Sequence, residues 1–175
     1  MIEPGDNLVS AIDVAIEQEG LSLLDGDILI IAQKIISKSE NRYAYFDEVE
    51  PTDEALRWAE LVDKDPCLVQ LILAESVEVV KHRPGAMIVE HRNGYVHANA
   101  GIDQSNIKTS EDLPRALLLP QNPDESAAQL RASLEQAADC RLGIVINDSA
   151  GRAWRNGTCG IAIGSAGFEP VQDLI

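Results

Sequence analysis

AMIVEHRNGYVHAN (86–99) is the stretch that decides the fold. Two strand-like runs, 86–91 and 95–99, flank Asn93-Gly94, the strongest short signal for a hairpin turn. A hairpin pairs its strands antiparallel, so the chain cannot be a purely parallel, doubly wound sheet. Helical and strand-like segments are intermixed on either side of it, and the reading is a mixed α+β fold with a β-hairpin and flanking helices.

Working outward, Pro51-Thr52 opens a helix over 53–63, and Asp65-Pro66 opens another over 66–81, with cap and first-turn proline in the expected order. Nearer the start, Leu8, Ile12, Ala15 and Ile16 share one face of a helix over 7–19, with Asp6 as N-cap and Gly20 as terminator. Asp25-Gly26 turns into ILII (28–31), a short continuous apolar run typical of a buried strand. After the hairpin, Asn122-Pro123 opens a helix over 123–138 that steps through Ala127, Leu130 and Leu134. RLGIVIN (141–147) reads as a second buried strand, and CGIAIG (159–164) follows after a polar loop. There is no repeat and no Pro/Gly-rich linker, so a single domain over 1–175 is expected, with GFEPVQDLI reading as an unfinished C-terminus.

Composition narrows the partners. Only 4% of the 175 residues are aromatic, so the core must rest on Leu, Ile, Val and Ala. Lys plus Arg number 14 against 29 Asp plus Glu, a net charge of −15, which repels nucleic acid and anionic membrane alike. Cys67, Cys140 and Cys159 form no metal-binding or disulfide pattern and are expected to be buried, reduced thiols. With no secretory leader and no apolar run long enough to span a bilayer, a cytoplasmic location is expected.

Three polar stretches follow apolar strands, where sheet proteins bind ligands. In AQKIISKSENR (32–42), Lys34, Lys38 and Arg42 recur every four residues, so a helical turn would align them as a basic edge or against a phosphate chain. In HANAGIDQSN (97–106), Gly101 permits a sharp turn that points Asp103 inward, and Asn106 both donates and accepts. Such a cluster either makes an Asx-turn or holds a cation and a phosphate. In NDSAGRAWRNGT (147–158), Asp148 and Ser149 leave a buried strand, with Arg152 and Arg155 close behind and Trp154 placed to pack the loop. Asp103, Asp148 and Ser149 are hard oxygen ligands that suit Mg²⁺ or Mn²⁺, whereas His82, His91 and His97 have no ligand spacing. Cationic loops beside a carboxylate metal site describe a place where a nucleoside triphosphate reacts.

DGDILIIAQKIISKSENR, NAGIDQSN, LLLPQNPDESA and INDSAGRAWRNGTCGIAIG, in this order, resemble the coenzyme F420-0 gamma-glutamyl ligase family across nearly the whole chain. The resemblance implies a GTP-dependent amide ligase that adds L-glutamate to F420-0 through an acyl phosphate. It also implies two divalent metal sites, a possible K⁺ requirement and a homodimer. Position by position, it implies that Asp103 holds a metal and Asn106 touches GTP. Asp148 would share that metal, and Ser149, where the family usually has Thr, would ligate the second. Gln33, Lys34 and Lys38 fall on a nucleotide-binding stretch. Relative to the family, the extreme N-terminal loop and a C-terminal Gly-rich segment are expected to be missing. A non-catalytic, dimerising nucleotide- or metal-binding relative, or a metal-dependent nucleotide phosphatase, remains the alternative. Asn41, standing where the family has glycine, can also take a left-handed turn.

Overall fold

The computed structural model describes residues 2–104, 114–151 and 156–171. Helices and strands are intermixed along them: α1 (Leu8–Gln18), β1 (Ile28–Ala32), α2 (Gln33–Ser39), β2 (Tyr43–Tyr45), α3 (Asp53–Val62) and α4 (Pro66–Ala74). Next come β3 (Ser76–Arg83), β4 (Ala86–His91), β5 (Val96–Ala98), β6 (Arg115–Leu117), α5 (Pro123–Ala138), β7 (Gly143–Ala150) and β8 (Cys159–Ala166). The fold is α+β, as the hairpin requires. Two compact units divide the chain: Met1–Arg42 with Pro120–Asp148 and Ile161–Ile175, and Tyr43–Leu119 with Ser149–Gly160.

The first unit carries the sheet β1-β7-β8, in which β1 and β7 run parallel in register from Ile28↔Gly143 to Ala32↔Asn147. Helix α5 buries Ala127, Leu130 and Leu134, as its spacing predicts, and Ile31, Ile36, Ile144 and Ile146 are buried in the same unit. Asn122 caps α5 by accepting from the Glu125 amide. Arg131 Nε donates to the Leu142 carbonyl at 2.8 Å while Glu135 accepts the Leu142 amide at 2.8 Å, so the last turns of α5 set the entry to β7.

The second unit packs α3 and α4 on the antiparallel sheet β3-β4-β5, with β2 and β6 paired separately. Its core joins Ala55, Val62, Val69 and Ile72 of the helices to Met87 and Val89 of β4 and to Ala116 of β6. The hairpin turn closes with Gly94 at φ 89° and its amide 2.7 Å from the His91 carbonyl.

Four local expectations are corrected. The first helix is capped by Asn7, whose side chain accepts from Ser10, while the Asp6 carboxylate accepts from Glu3 instead. The helix expected over 66–81 ends at Ala74, because the run that follows, rich in β-branched Val77, Val79 and Val80, forms β3 and pairs with β4 from Ser76↔His91 through Val79↔Val89 to Arg83↔Ala86. The run 28–31 does form a strand, but Ile28 and Ile30 are exposed because the face they share opens on a groove beside α1. The three cysteines form no disulfide and are half-buried, with the Cys67 thiol contacting the Val49 carbonyl. Among the described residues no helix is long and apolar enough to cross a membrane.

Candidate functional site

In the first unit the parallel register decides what meets. Ala32 stands opposite Asn147, so Gln33 and Asp148 both leave at the carboxyl end of the parallel pair. That end is where open α/β sheets bind ligands, because loops diverge there from strands held rigid by the ladder. Asp148 is half-buried at this point.

Gln33 turns directly from β1 into α2, with Ala32 as an extended N-cap. It is 3% exposed, and the Ser37 hydroxyl donates to its side-chain oxygen at 2.9 Å. Its oxygen is thus committed inside the unit, and only its amide N–H donors suit a phosphate. Lys34 and Lys38 follow one turn apart on α2, both half-buried. Arg42 does not continue that row. The helix ends at Ser39, Asn41 takes φ 53°, and the Arg42 amide returns to the Ser37 carbonyl at 2.8 Å. A left-handed Asn41 was the expected substitute for glycine.

In the second unit, three consecutive residues turn the chain through left-handed backbone: Asn99 at φ 52°, Ala100 at 54° and Gly101 at 67°. Two of the three are not glycine, a strained arrangement held because Ala100 is fully buried and Asn99 Oδ1 accepts from the Met87 amide. Gly101 is the tightest point. A Cβ there would lie 2.6 Å from His97 Cε1 and 2.7 Å from Leu119 Cδ1.

The turn delivers Asp103 into a two-way backbone bridge with Leu117, at 3.0 and 2.8 Å, with its carboxylate Oδ2 buried. The Ala98 amide donates to the Gly151 carbonyl at 2.8 Å, which ties the start of this turn to the strand end that carries exposed Ser149. Asp103 and Ser149 therefore belong to one unit, and Asp148, Gln33, Lys34 and Lys38 to the other. Asn106, with Ser105, Arg152, Trp154 and Arg155, lies outside the described residues.

Among the described residues, no three His, Cys, Asp or Glu side chains gather closely enough to hold a metal alone. Asp103 and Ser149 of one unit and Asp148 of the other carry oxygen donors only, the donor type that Mg²⁺ takes together with waters and phosphate oxygens.

A buried polar cluster in the second unit was not foreseen. His91 and His97, each 1% exposed, stand with ring centroids 6.1 Å apart, and Tyr95 stacks on His91 at 5.2 Å. His91 Nδ1 accepts from the Asn93 amide at 3.0 Å, so the ring proton sits on Nε2, 3.6 Å from the Glu75 carboxylate that also binds Arg92 at 3.0 Å. Period two along 87, 89 and 91 puts His91 on the buried face of β4, a signal the sequence did carry. In the same unit, the Arg115 guanidinium lies 4.1 Å from the Tyr43 ring centroid and donates to the Tyr45 hydroxyl at 3.1 Å.

Comparison with known proteins gives one consistent result. The sequence model of a family described as F420-0:Gamma-glutamyl ligase matches residues 1–175. The coenzyme F420:L-glutamate ligase of Methanothermobacter thermautotrophicus is 40% identical over 173 residues, which is 99% of this chain and 67% of that protein. The Methanococcus maripaludis enzyme of the same name is 42% identical over 151 residues, 86% of this chain and 59% of that one. The Methanopyrus kandleri enzyme is 38% identical over 172 residues, 98% and 65%. The chain thus spans about two-thirds or less of the length of these relatives.

Proposed function

The chain belongs to the F420-0:gamma-glutamyl ligase family, and on that premise we propose that it serves GTP-dependent ligation of L-glutamate to F420-0 or a closely similar acid. The observation that carries the reading is the β1/β7 register, which sends Gln33 and Asp148 out of the same end of the parallel pair. Strand ends held this way pre-position polar groups at no further cost when substrate arrives.

The roles follow from chemistry. Lys34 and Lys38 are compact point charges suited to the phosphate chain of GTP. The amide of Gln33 donates to a phosphate oxygen, and Asn106 serves the same nucleotide. Asp103, Asp148 and Ser149 would hold Mg²⁺ or Mn²⁺, which when bound neutralises charge developing on the transferred phosphoryl group. K⁺ and a homodimeric assembly belong to the same reading.

In the first step a carboxylate oxygen of the acceptor attacks the γ-phosphorus in line. The bond to the β–γ bridging oxygen breaks, and GDP leaves. In the second, the glutamate amine attacks the carbonyl carbon of the acyl phosphate, an amide bond forms, inorganic phosphate leaves with the carbon–oxygen electron pair, and the amine loses its proton. Carboxylates held near phosphate oxygens resist like-charge approach, and a metal ion with two lysines offsets that repulsion.

The test is product formation. The chain is incubated with F420-0, L-glutamate, GTP and Mn²⁺, and glutamyl adducts and GDP are followed by mass spectrometry and chromatography. One GDP for each glutamate added supports the ligase. GDP release that ignores glutamate supports a phosphatase instead.

A further inference from the structure

Three aromatic rings share the inner face of the hairpin, and the ligation uses none of them. The β4–β5 register sets Val89 opposite His97, and the His91 amide donates to the Tyr95 carbonyl at 2.8 Å, so Tyr95 stands opposite His91. Cross-strand partners share a face. The His97 ring meets Tyr95 edge to face at 5.7 Å and His91 at 6.1 Å. His91 is fixed in turn by the Asn93 amide and by Glu75, the C-cap of α4. An aliphatic side chain would fill this space without the cost of burying a polar ring, so packing alone does not account for a histidine at this position.

What the ring closes on gives it a use. A Cβ on Gly101 would stand 2.6 Å from His97 Cε1, so the ring lies directly against the turn that delivers Asp103. That turn runs through three left-handed residues, two of them not glycine, and such backbone persists only where its surroundings hold it. The residue after His97 makes the other connection. The Ala98 amide donates to the Gly151 carbonyl at 2.8 Å, two residues beyond Ser149. The end of β5, His97-Ala98, thereby reaches both turns that carry the oxygen donors of this unit.

We propose that His97 is a positioning residue for the metal site: its ring, braced by Tyr95 and His91, holds the Gly101 turn and so fixes where Asp103 presents its carboxylate relative to Ser149. The proposal rests on the metal-binding reading of Asp103 and Ser149, and adds to it the side chain that sets their spacing. Metal ligands keep their productive geometry when the residues behind them are locked by packing, and a cavity in place of the ring lets the turn relax.

The test uses the whole chain and two readouts. Mn²⁺ affinity is followed in the presence of GTP by the electron paramagnetic resonance signal of the free ion. Amide hydrogen exchange is followed at Asp103 and Leu117, whose N–H groups form the two-way bridge. His97→Ala should weaken Mn²⁺ binding by about tenfold or more and speed exchange at both amides. Val62→Ala, an equally buried truncation in α3, should leave Mn²⁺ affinity within about twofold of the parent, as a site that its side chain does not support. Should His97→Ala fail to fold, His97→Gln takes its place. In the double variant His97→Ala/Gly101→Ala one of the two clashing neighbours is gone, so the loss of Mn²⁺ affinity should be smaller than the product of the two single losses. Unchanged Mn²⁺ affinity in His97→Ala, or a double variant that shows the full product, overturns the proposal. A parent that binds no Mn²⁺ overturns the metal reading instead. Exchange at Asp103 and Leu117 then decides alone, and rates that His97→Ala leaves unchanged overturn the positioning role as well.

Discussion

Gly101→Ala tests whether the turn that delivers Asp103 is as tightly packed as its geometry shows. The residue sits at φ 67°, where an alanine costs roughly 1–2 kcal/mol more than glycine. Its new Cβ would also stand 2.6 Å from His97 Cε1 and 2.7 Å from Leu119 Cδ1. Neither neighbour has room to withdraw, as each is 1% exposed. Overpacking of a closed core adds roughly 1–3 kcal/mol, giving a total of about 2–5 kcal/mol.

Gly94→Ala is the matched control, since it has φ 89° and nothing within 4 Å of its Cβ, leaving backbone strain alone. A chain of this length shifts by about 2–4 °C for each kcal/mol. Calorimetric melting should therefore place Gly101→Ala below Gly94→Ala by about 2–12 °C, the share due to packing. Metal-dependent GTP binding should weaken in Gly101→Ala and not in Gly94→Ala, because only the former displaces Asp103. Equal melting temperatures for the two variants would refute the packing argument, whatever their distance from the parent.

Other substitutions probe separate links. Leu134→Ala removes a fully buried side chain from α5 and should cost about 2–5 kcal/mol in urea unfolding. Gly164→Ala would set a Cβ 2.5 Å from the Pro123 backbone, which cannot yield as a side chain can, so it should destabilise more than a substitution at open Gly26 in the same assay. Glu75→Ala takes the carboxylate from buried His91 and should cost about 1–3 kcal/mol, whereas Arg92→Ala, whose side chain is 41% exposed, should cost under about 1 kcal/mol. Burial, and then the Asp65 carboxylate, push the Cys67 thiol above its ordinary value, so folding favours the neutral thiol. Stability from this source is complete at pH below the unfolded thiol's range and is lost as pH rises through the folded value. Asp65→Asn keeps the cap oxygen that serves the Cys67 and Leu68 amides and should bring alkylation of Cys67 to lower pH.

Legibility in the sequence followed the strength of local rules. Asn93-Gly94 and Asn122-Pro123 announced the hairpin and α5 because turn and cap chemistry are set by neighbouring residues. Residues 75–81 were misread because proline at Pro66 starts a helix without saying where it stops; pairing of β3 with β4 is a long-range choice. The three-residue strands Tyr43–Tyr45 and Arg115–Leu117 are too short for periodicity and exist only through their partner. The apolar run at 28–31 correctly gave a strand, yet not its rank in the sheet, which depends on the order β1-β7-β8. For the site, Gln33, Lys34, Lys38, Asp103, Asp148 and Ser149 were all named from strand ends and motif order. The Ser37–Gln33 bond and the His91–Glu75 pair were not, because both depend on which side chains burial brings together.

The most direct measurement is a calorimetric titration of the purified chain with GTP, with and without Mn²⁺, beside Asp148→Asn. The account predicts binding that requires Mn²⁺ in the parent and is weakened at least about tenfold in the variant, a loss of roughly 1.4 kcal/mol or more. Equal binding by both proteins, or binding indifferent to Mn²⁺, would contradict the placing of nucleotide and metal at the carboxyl end of β1 and β7.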